Sequence, residues 1–269
     1  MLLNFKDIFL QKINCMLFRP FLIALTALLV DISILSATAT NTNTETHDKI
    51  PVATDSLSIH LSANLQSRHL WRGSVTCSAW NIQPTATVSK RNFLVGFWGA
   101  YTVNNSYSEV NLYGSYTIGR FSVAVLDYFC PDETLKFNRL FDTNQKTTQH
   151  TVDATLTYNG TKKFPLSLMV STLVWGDDIN ATTEKNYYST YIEAGYTWER
   201  TQTQKFEFFA GITPVEGYYA NSLNLVNMGF SASQTINVSS TFKLPIFGKI
   251  IANPHTQNLY FVFGATIGS

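Results

Sequence analysis

The chain has 269 residues, a formal net charge of +1, and charged and aromatic fractions of 14% each. Soluble domains usually carry about a quarter charged residues, so this composition argues against an ordinary water-facing surface, and near-neutrality offers no basic footprint for a nucleic acid. The cysteines, Cys15, Cys77 and Cys130, stand far apart with no CxxC pair, which removes the usual zinc and thiol-redox readings.

The chain opens on a basic leader, Lys6, Lys12 and Arg19, followed by a largely apolar stretch over 21–35 and by Ala37-Thr38-Ala39, a small-x-small cleavage pattern. Residues 1–39 are therefore expected to be a signal peptide, with Met16 as an alternative start. An uncleaved anchor helix is the rival, but the apolar stretch is shorter than the ~20 residues a spanning helix needs. Cleavage would leave a mature chain without net charge. Export would permit a Cys77–Cys130 disulfide, and two free thiols are the alternative. Residues 40–56 are Thr/Asn-rich and aperiodic, and read as a flexible leader.

From residue 57 onward one pattern repeats: apolar and polar residues alternate with period two over about nine to eleven residues, the length of a tilted strand that crosses a bilayer. Leu57, Ile59, Leu61 and Leu65 alternate with Ser58, His60, Ser62 and Asn64. Residues 68–80 form a long connection. Further strands are read at 82–88, where Pro84 removes a ladder donor and should mark a strand start or bulge, and at 93–102, 110–118 and 121–128. A polar segment over 130–147 separates these from strands at 151–156, 166–174, 191–198, 206–212 and 226–232. A turn is expected at 233–235 and a strand running from 236 toward 242. Residues 244–257 are ambiguous, and 259–267 close the chain as an apolar, aromatic strand.

This gives about twelve strands whose connections are alternately short and long, the habit of outer-membrane barrels. The polar phase is rich in Ser, Thr, Asn and Tyr and poor in Lys and Glu, as a lumen would be. The expected fold is an all-β, transmembrane, antiparallel up-and-down barrel over 57–269, located in the bacterial outer membrane. Because lipid offers no hydrogen-bond partner, the sheet must close, with the first strand near Leu57 beside the last near Tyr260.

Several short motifs follow in order: His69-Leu70-Trp71-Arg72-Gly73, Gln83-Pro84, Val95-Gly96-Phe97-Trp98-Gly99, and Glu109-Val110-Asn111-Leu112-Tyr113-Gly114. Together they resemble the TorF-type family of bacterial outer-membrane porins. The resemblance covers mainly residues 57–128, and beyond them only the strand pattern agrees. The final strand lacks the terminal Phe common in such barrels. The resemblance implies an outer-membrane barrel that forms a pore, and says little of its substrate.

Four carboxylates are expected to face the lumen, Asp127, Asp153, Glu193 and Glu207, with Arg72 at the mouth. They read either as a cation-favouring lining or as an internal salt-bridge network plugging a narrow barrel. Trp98, Trp175, Trp198, Tyr101 and Tyr196 are expected in the aromatic girdles at the two membrane interfaces. No enzymatic reading is favoured. The stretch from Gly229 to Ser233 only approximates GxSxG and lies in a strand, the histidines are scattered, and no cofactor motif occurs. The expected partners are outer-membrane lipid, the barrel-assembly machinery and small solutes diffusing through the lumen. The alternative function is a closed barrel that binds surfaces through loops 130–147 and 176–186.

Overall fold

The computed structural model describes residues 56–268 apart from Glu133. The signal peptide expected over 1–39 and, except for Ser56, the leader over 40–56 lie outside the described residues. Alternating sequence becomes strand at β1 (Ser58–Gln66), β2 (His69–Trp71), β3 (Ser74–Cys77), β4 (Asn81–Lys90), β5 (Phe93–Thr102), β6 (Ser108–Ile118), β7 (Phe121–Phe129) and β8 (His150–Tyr158). The series continues through β9 (Leu166–Gly176), β10 (Thr190–Glu199), β11 (Gln204–Thr213), β12 (Asn224–Asn237), β13 (Lys243–Asn253) and β14 (Asn258–Gly268). Twelve of these form one closed antiparallel barrel, β1 and β4 to β14 in sequence order, while β2 and β3 pair only with each other.

Short connections gather at one end of the barrel (91–92, 119–120, 159–165, 200–203, 238–242), together with the start of β1 and the end of β14. The connections at the opposite, loop end are 67–80, 103–107, 130–149, 177–189, 214–223 and 254–257, and four of these six are longer than any at the first end. Closure is made by β1 against β14, from Ser62↔Gly268 to Gln66↔Gly264. The seam thus runs through Gly264 to Gly268, four to eight residues after Tyr260.

The two faces of the wall differ as the alternation requires. Leu61, Val110, Leu112, Val125, Leu156, Phe208 and Ile250 stand on the outside and are exposed, whereas Asn81, Thr85, Asn111, Thr155 and Ser171 are buried within. Apolar side chains point away from the axis and hydroxyls and amides toward it, the reverse of a water-soluble barrel. The interior also contains an apolar cluster that the alternation did not announce, Phe247, Ile251 and Val262, packed with Leu70 and Phe209.

Two stretches differ from the reading of the sequence. The turn expected at 233–235 lies inside β12, where Thr235 pairs with Pro245; the reversal comes at 238–242. Ser233, Gln234 and Thr235 look like turn residues, yet Ser231, Ser233 and Thr235 simply continue the polar inward phase. The ambiguous 244–257 resolves into most of β13 and the turn at 254–257. Pro84 lies within β4 opposite Ala63, and its missing N–H coincides with a lapse in the β4–β5 ladder between Ile82↔Tyr101 and Thr85↔Trp98. Cys77 and Cys130 are free thiols.

At the seam, a Cβ added to Gly264 would lie 2.4 Å from the Leu65 carbonyl oxygen and 2.6 Å from the Phe247 ring. Gly264→Val is expected to push β14 off β1 and to destabilise the barrel by about 3 kcal/mol, read as an earlier urea midpoint for the reconstituted protein; an unchanged midpoint would show that the seam tolerates a side chain there.

Candidate functional site

The expected long connection over 67–80 is a hairpin folded into the barrel. The chain leaves β1 at Gln66, runs inward as β2, reverses at Arg72-Gly73 and returns as β3. Both turn residues have positive φ, 48° for Arg72 and 82° for Gly73, as a two-residue hairpin turn of the primed type requires, with Trp71 opposite Ser74. Glycine is needed at the second position for space as well as for φ, because a Cβ there would meet the Val226 carbonyl oxygen at 2.0 Å.

At the tip, the Arg72 guanidinium donates to Asp153 Oδ2 at 2.8 Å and to Ser171 Oγ at 2.6 Å, and also to the Tyr219 hydroxyl. Asp153 has no solvent exposure. It accepts further hydrogen bonds from Tyr128, Thr155 and Ser171, so its oxygens are fully engaged. The guanidinium carbon lies 4.7 Å from the Trp71 ring centroid and 5.1 Å from that of Tyr191, close enough for cation–π attraction in a dry setting. Trp71 packs in turn on Tyr128, Tyr218 and Tyr219. Asn253 Nδ2 donates to the Gly73 carbonyl at 3.2 Å. The tip therefore touches β8, β9, β12, β13 and the 214–223 loop.

The base of the hairpin is held on the opposite wall. Gln83 Nε2 donates to His69 Nδ1 at 3.0 Å, and His69 Nε2 lies 3.7 Å from Glu109 Oε2. Glu109 also accepts from Tyr107 and from Asn111, and the Trp98 ring stands 5.2 Å from that of His69. Between base and tip, Leu70 sits on Phe247, Ile251 and Val262. The hairpin spans the lumen from wall to wall at the loop end.

Two β-bulges aim this site. Val226 is the extra residue of β12 opposite Gly211/Ile212, turned inward and 1% exposed beneath the hairpin tip. A second irregularity at Val152/Asp153 against β9 lies beside the carboxylate that receives Arg72. Over the site, Ser189 ties loop 177–189 to loop 214–223, donating to Asp178 and accepting from the Tyr218 N–H. Burial pushes the Asp178 carboxyl up, against the two Ser189 hydrogen bonds that hold it down. Among the described residues, no three His, Cys, Asp or Glu side chains are grouped to hold a metal ion.

Of the expected lumen charges, Arg72, Asp153, Glu193 and Glu207 are inside. Glu193 accepts from Tyr191 and Asn227, and Glu207 pairs with Lys205. Asp127 is not inside. It shares the phase of Val123 and Val125, faces outward, and bonds His150 Nδ1 at 3.0 Å beneath the 130–149 loop. The inward run on β7 is Ser122, Ala124, Leu126 and Tyr128, so Asp127 falls on the opposite phase. Trp98 likewise leaves the expected girdle, because it lies on the inner phase of β5 against His69. Tyr101, Tyr196 and Trp198 stand exposed on the outer face, and Trp175 pairs with outward Val152. Sequence reasoning passed over Glu109, Lys249, Tyr191 and Tyr219. Glu109 was visible as the first member of the run Glu109, Asn111, Tyr113, Ser115; Tyr219 lies in an aperiodic loop and carried no signal.

No protein-family model and no curated protein matches the sequence. Among solved structures, the chain is similar to an outer membrane channel from Pseudomonas putida F1, with 10% identity, 85% of this chain and 100% of that chain covered, and a TM-score of 0.41.

Removing Arg72 would leave Asp153 buried without its cation. Arg72→Met is expected to cost about 3–5 kcal/mol, while adding Asp153→Leu restores much of the loss; urea titration of the native protein, Arg72→Met, Asp153→Leu and the double variant closes the cycle, and additive losses would show that the pair is not coupled. Burial, with Lys249 as a lesser contributor, pushes His69 down to about 4 from 6.5. Its folded pKa lies below the unfolded one, so its contribution is complete above about 6.5 and is lost as pH falls toward 4. The unfolding midpoint should decline across that window, and His69→Gln should flatten the decline.

Proposed function

We propose that the protein is a bacterial outer-membrane barrel of the TorF-type porin group, passing small solutes by diffusion through a polar lumen that the β2–β3 hairpin closes in the state described here. The observation that carries this reading is the inside-out wall: a continuous apolar exterior around an interior of hydroxyls, amides and paired charges. Outward Tyr101 and Trp175 near the loop end, and Tyr196 and Trp198 near the turn end, suit interface girdles. The motif residues that carry the family resemblance add support, since His69, Arg72, Gly73, Gln83, Trp98 and Glu109 all meet at the hairpin. Insertion would proceed through the barrel-assembly machinery, into lipid.

Twelve strands lie between the eight whose interior side chains can fill and the sixteen that leave an aqueous channel. In such a lumen one inserted hairpin decides between closed and open. A permanently closed barrel that acts through its loops is the second reading, favoured by the saturated Asp153 and by Leu70 seated in an apolar cluster.

Planar-bilayer recording separates the two. The native protein is expected to show little conductance, with brief openings. Replacing residues 69–77 by a Gly-Ser linker should give stable open steps. Without Arg72 the strand-borne carboxylates Glu109, Asp153, Glu193 and Glu207 outnumber Lys205 and Lys249, so those steps should prefer cations. Folded, inserted protein that conducts in neither form would leave the loop-binding reading.

A further inference from the structure

Resting on the membrane reading just given, we infer that the 130–149 loop is an outer-leaflet foot that binds phosphorylated lipid headgroups beside the barrel. This loop does not rise away from the rim. His150 belongs to the outward phase of β8, and its Nε2 lies 2.9 Å from the Leu140 carbonyl oxygen while its Nδ1 bonds outward Asp127. Phe129, also outward, is only 6% exposed because His150 stacks on it at 4.5 Å and the loop lies over both. The loop is thus strapped against the outer wall at the loop end, near outward Trp175.

What it presents there is apolar, with two cations set among the rings. Phe141 is 91% exposed and Phe137 75%, with Leu135 and Leu140 exposed beside them. Four large apolar side chains on one loop form the kind of patch that marks a membrane or partner surface. Lys136 and Arg139 are exposed among them, and Lys136 Nζ lies 5.5 Å from the Phe137 ring centroid. The described carboxylates of the segment are held by short local hydrogen bonds, and Asp142 is also an electrostatic neighbour of Arg139, which leaves Lys136 as the cation nearest the rings. Asp132 accepts from the Thr134 N–H and hydroxyl, and Asp142 from the Asn144 N–H and the Thr147 hydroxyl. Thr147 and Lys146 lie further along, with Lys146 paired to Glu184.

Aromatic rings flanked by cations at the edge of an apolar wall match the boundary between acyl chains and phosphates. Phe137 and Phe141 would enter the boundary, and Lys136 and Arg139 would meet phosphate oxygens just above it. The occupant is lipid with phosphate groups in the leaflet at the loop end, and not a soluble peptide, because the patch adjoins the wall that the same leaflet must cover.

The test places a photoreactive p-benzoylphenylalanine at position 137 or 141 of the full chain, reconstituted in phosphatidylcholine vesicles containing lipopolysaccharide. Position 208, mid-wall and outward, serves as the lipid control, and position 182 in the exposed 177–189 loop as the solvent control. Irradiation is expected to give lipopolysaccharide adducts at 137 and 141, lipid adducts at 208 and none at 182. Lys136→Gln and Arg139→Gln should each lower the lipopolysaccharide adduct yield about five-fold. Adducts at 208 but none at 137 and 141 would overturn the foot and leave the barrel in the membrane. Adduct yields at 137 and 141 that are indifferent to the two substitutions would overturn the headgroup assignment. No lipid adduct at any position, 208 included, would overturn the membrane reading itself, and the foot with it.

Discussion

A carboxylate wholly removed from solvent cannot be left without a cation, and Asp153 obtains one only because a hairpin 81 residues earlier in the chain delivers Arg72 to it. That single requirement explains most of what is unusual in the interior. The hairpin must be long enough to reach from β1 across the lumen. Its turn must be of the tight, positive-φ kind that ends in a narrow tip. The far wall must open a place for it, which Val226 and the irregularity at Val152/Asp153 do. Ser171, Thr155 and Tyr128 then take up the remaining hydrogen-bonding capacity of the carboxylate, so nothing at the tip is left to draw in water.

The barrel in turn makes the hairpin affordable. An antiparallel sheet with no free edge satisfies its own backbone, which leaves the inner side chains free to serve the insert. Three kinds of contact divide the labour. At the base, Gln83 and Trp98 hold His69 by hydrogen bonding and ring contact. In the middle, Leu70 finds Phe247, Ile251 and Val262, apolar residues in positions that a water-filled lumen would give to polar ones. At the tip, charge and aromatic faces combine on Arg72. Breaking one kind leaves the others, so the insert behaves as a docked element with several independent holds.

The wall was legible in the sequence because period-two alternation is a direct consequence of strand geometry, and it is plain in most of the barrel strands. The strand count, the closure of first on last and the apolar exterior all follow from it. Where alternation was weak the reading slipped. Polar residues of the inward phase, Ser233 to Thr235, imitate a turn, and β13 carries Pro245, Gly248 and Lys249 in one run. The phase assignment failed at Asp127 and Trp98 for a common reason. Residue type was allowed to suggest a face, a carboxylate inward and a tryptophan outward, when position in the alternation had already fixed the opposite. The hairpin was hidden for a different reason. Its strands are only three and four residues long, too short for periodicity, and its partners are scattered from Gln83 to Asn253.

The motif that carries the family resemblance acquires a physical meaning from this arrangement. His69, Trp71, Arg72 and Gly73 are the inserted element; Gln83, Trp98 and Glu109 are its seat on the near wall. A sequence that only had to form a wall would need none of them, because any alternating residues of the right polarity would close the sheet. Their convergence gives each of them a contact to make with the insert. A purely structural plug would be served as well by packed apolar residues, which commonly match or exceed a buried ion pair in stability. An ion pair differs in that both partners can be rehydrated once they part, so a charged tip leaving Asp153 loses less than its contact list suggests when water follows it into the lumen. A tip built on Arg72 is for that reason held less firmly than its contacts imply, which is what the proposed opening of the lumen would require.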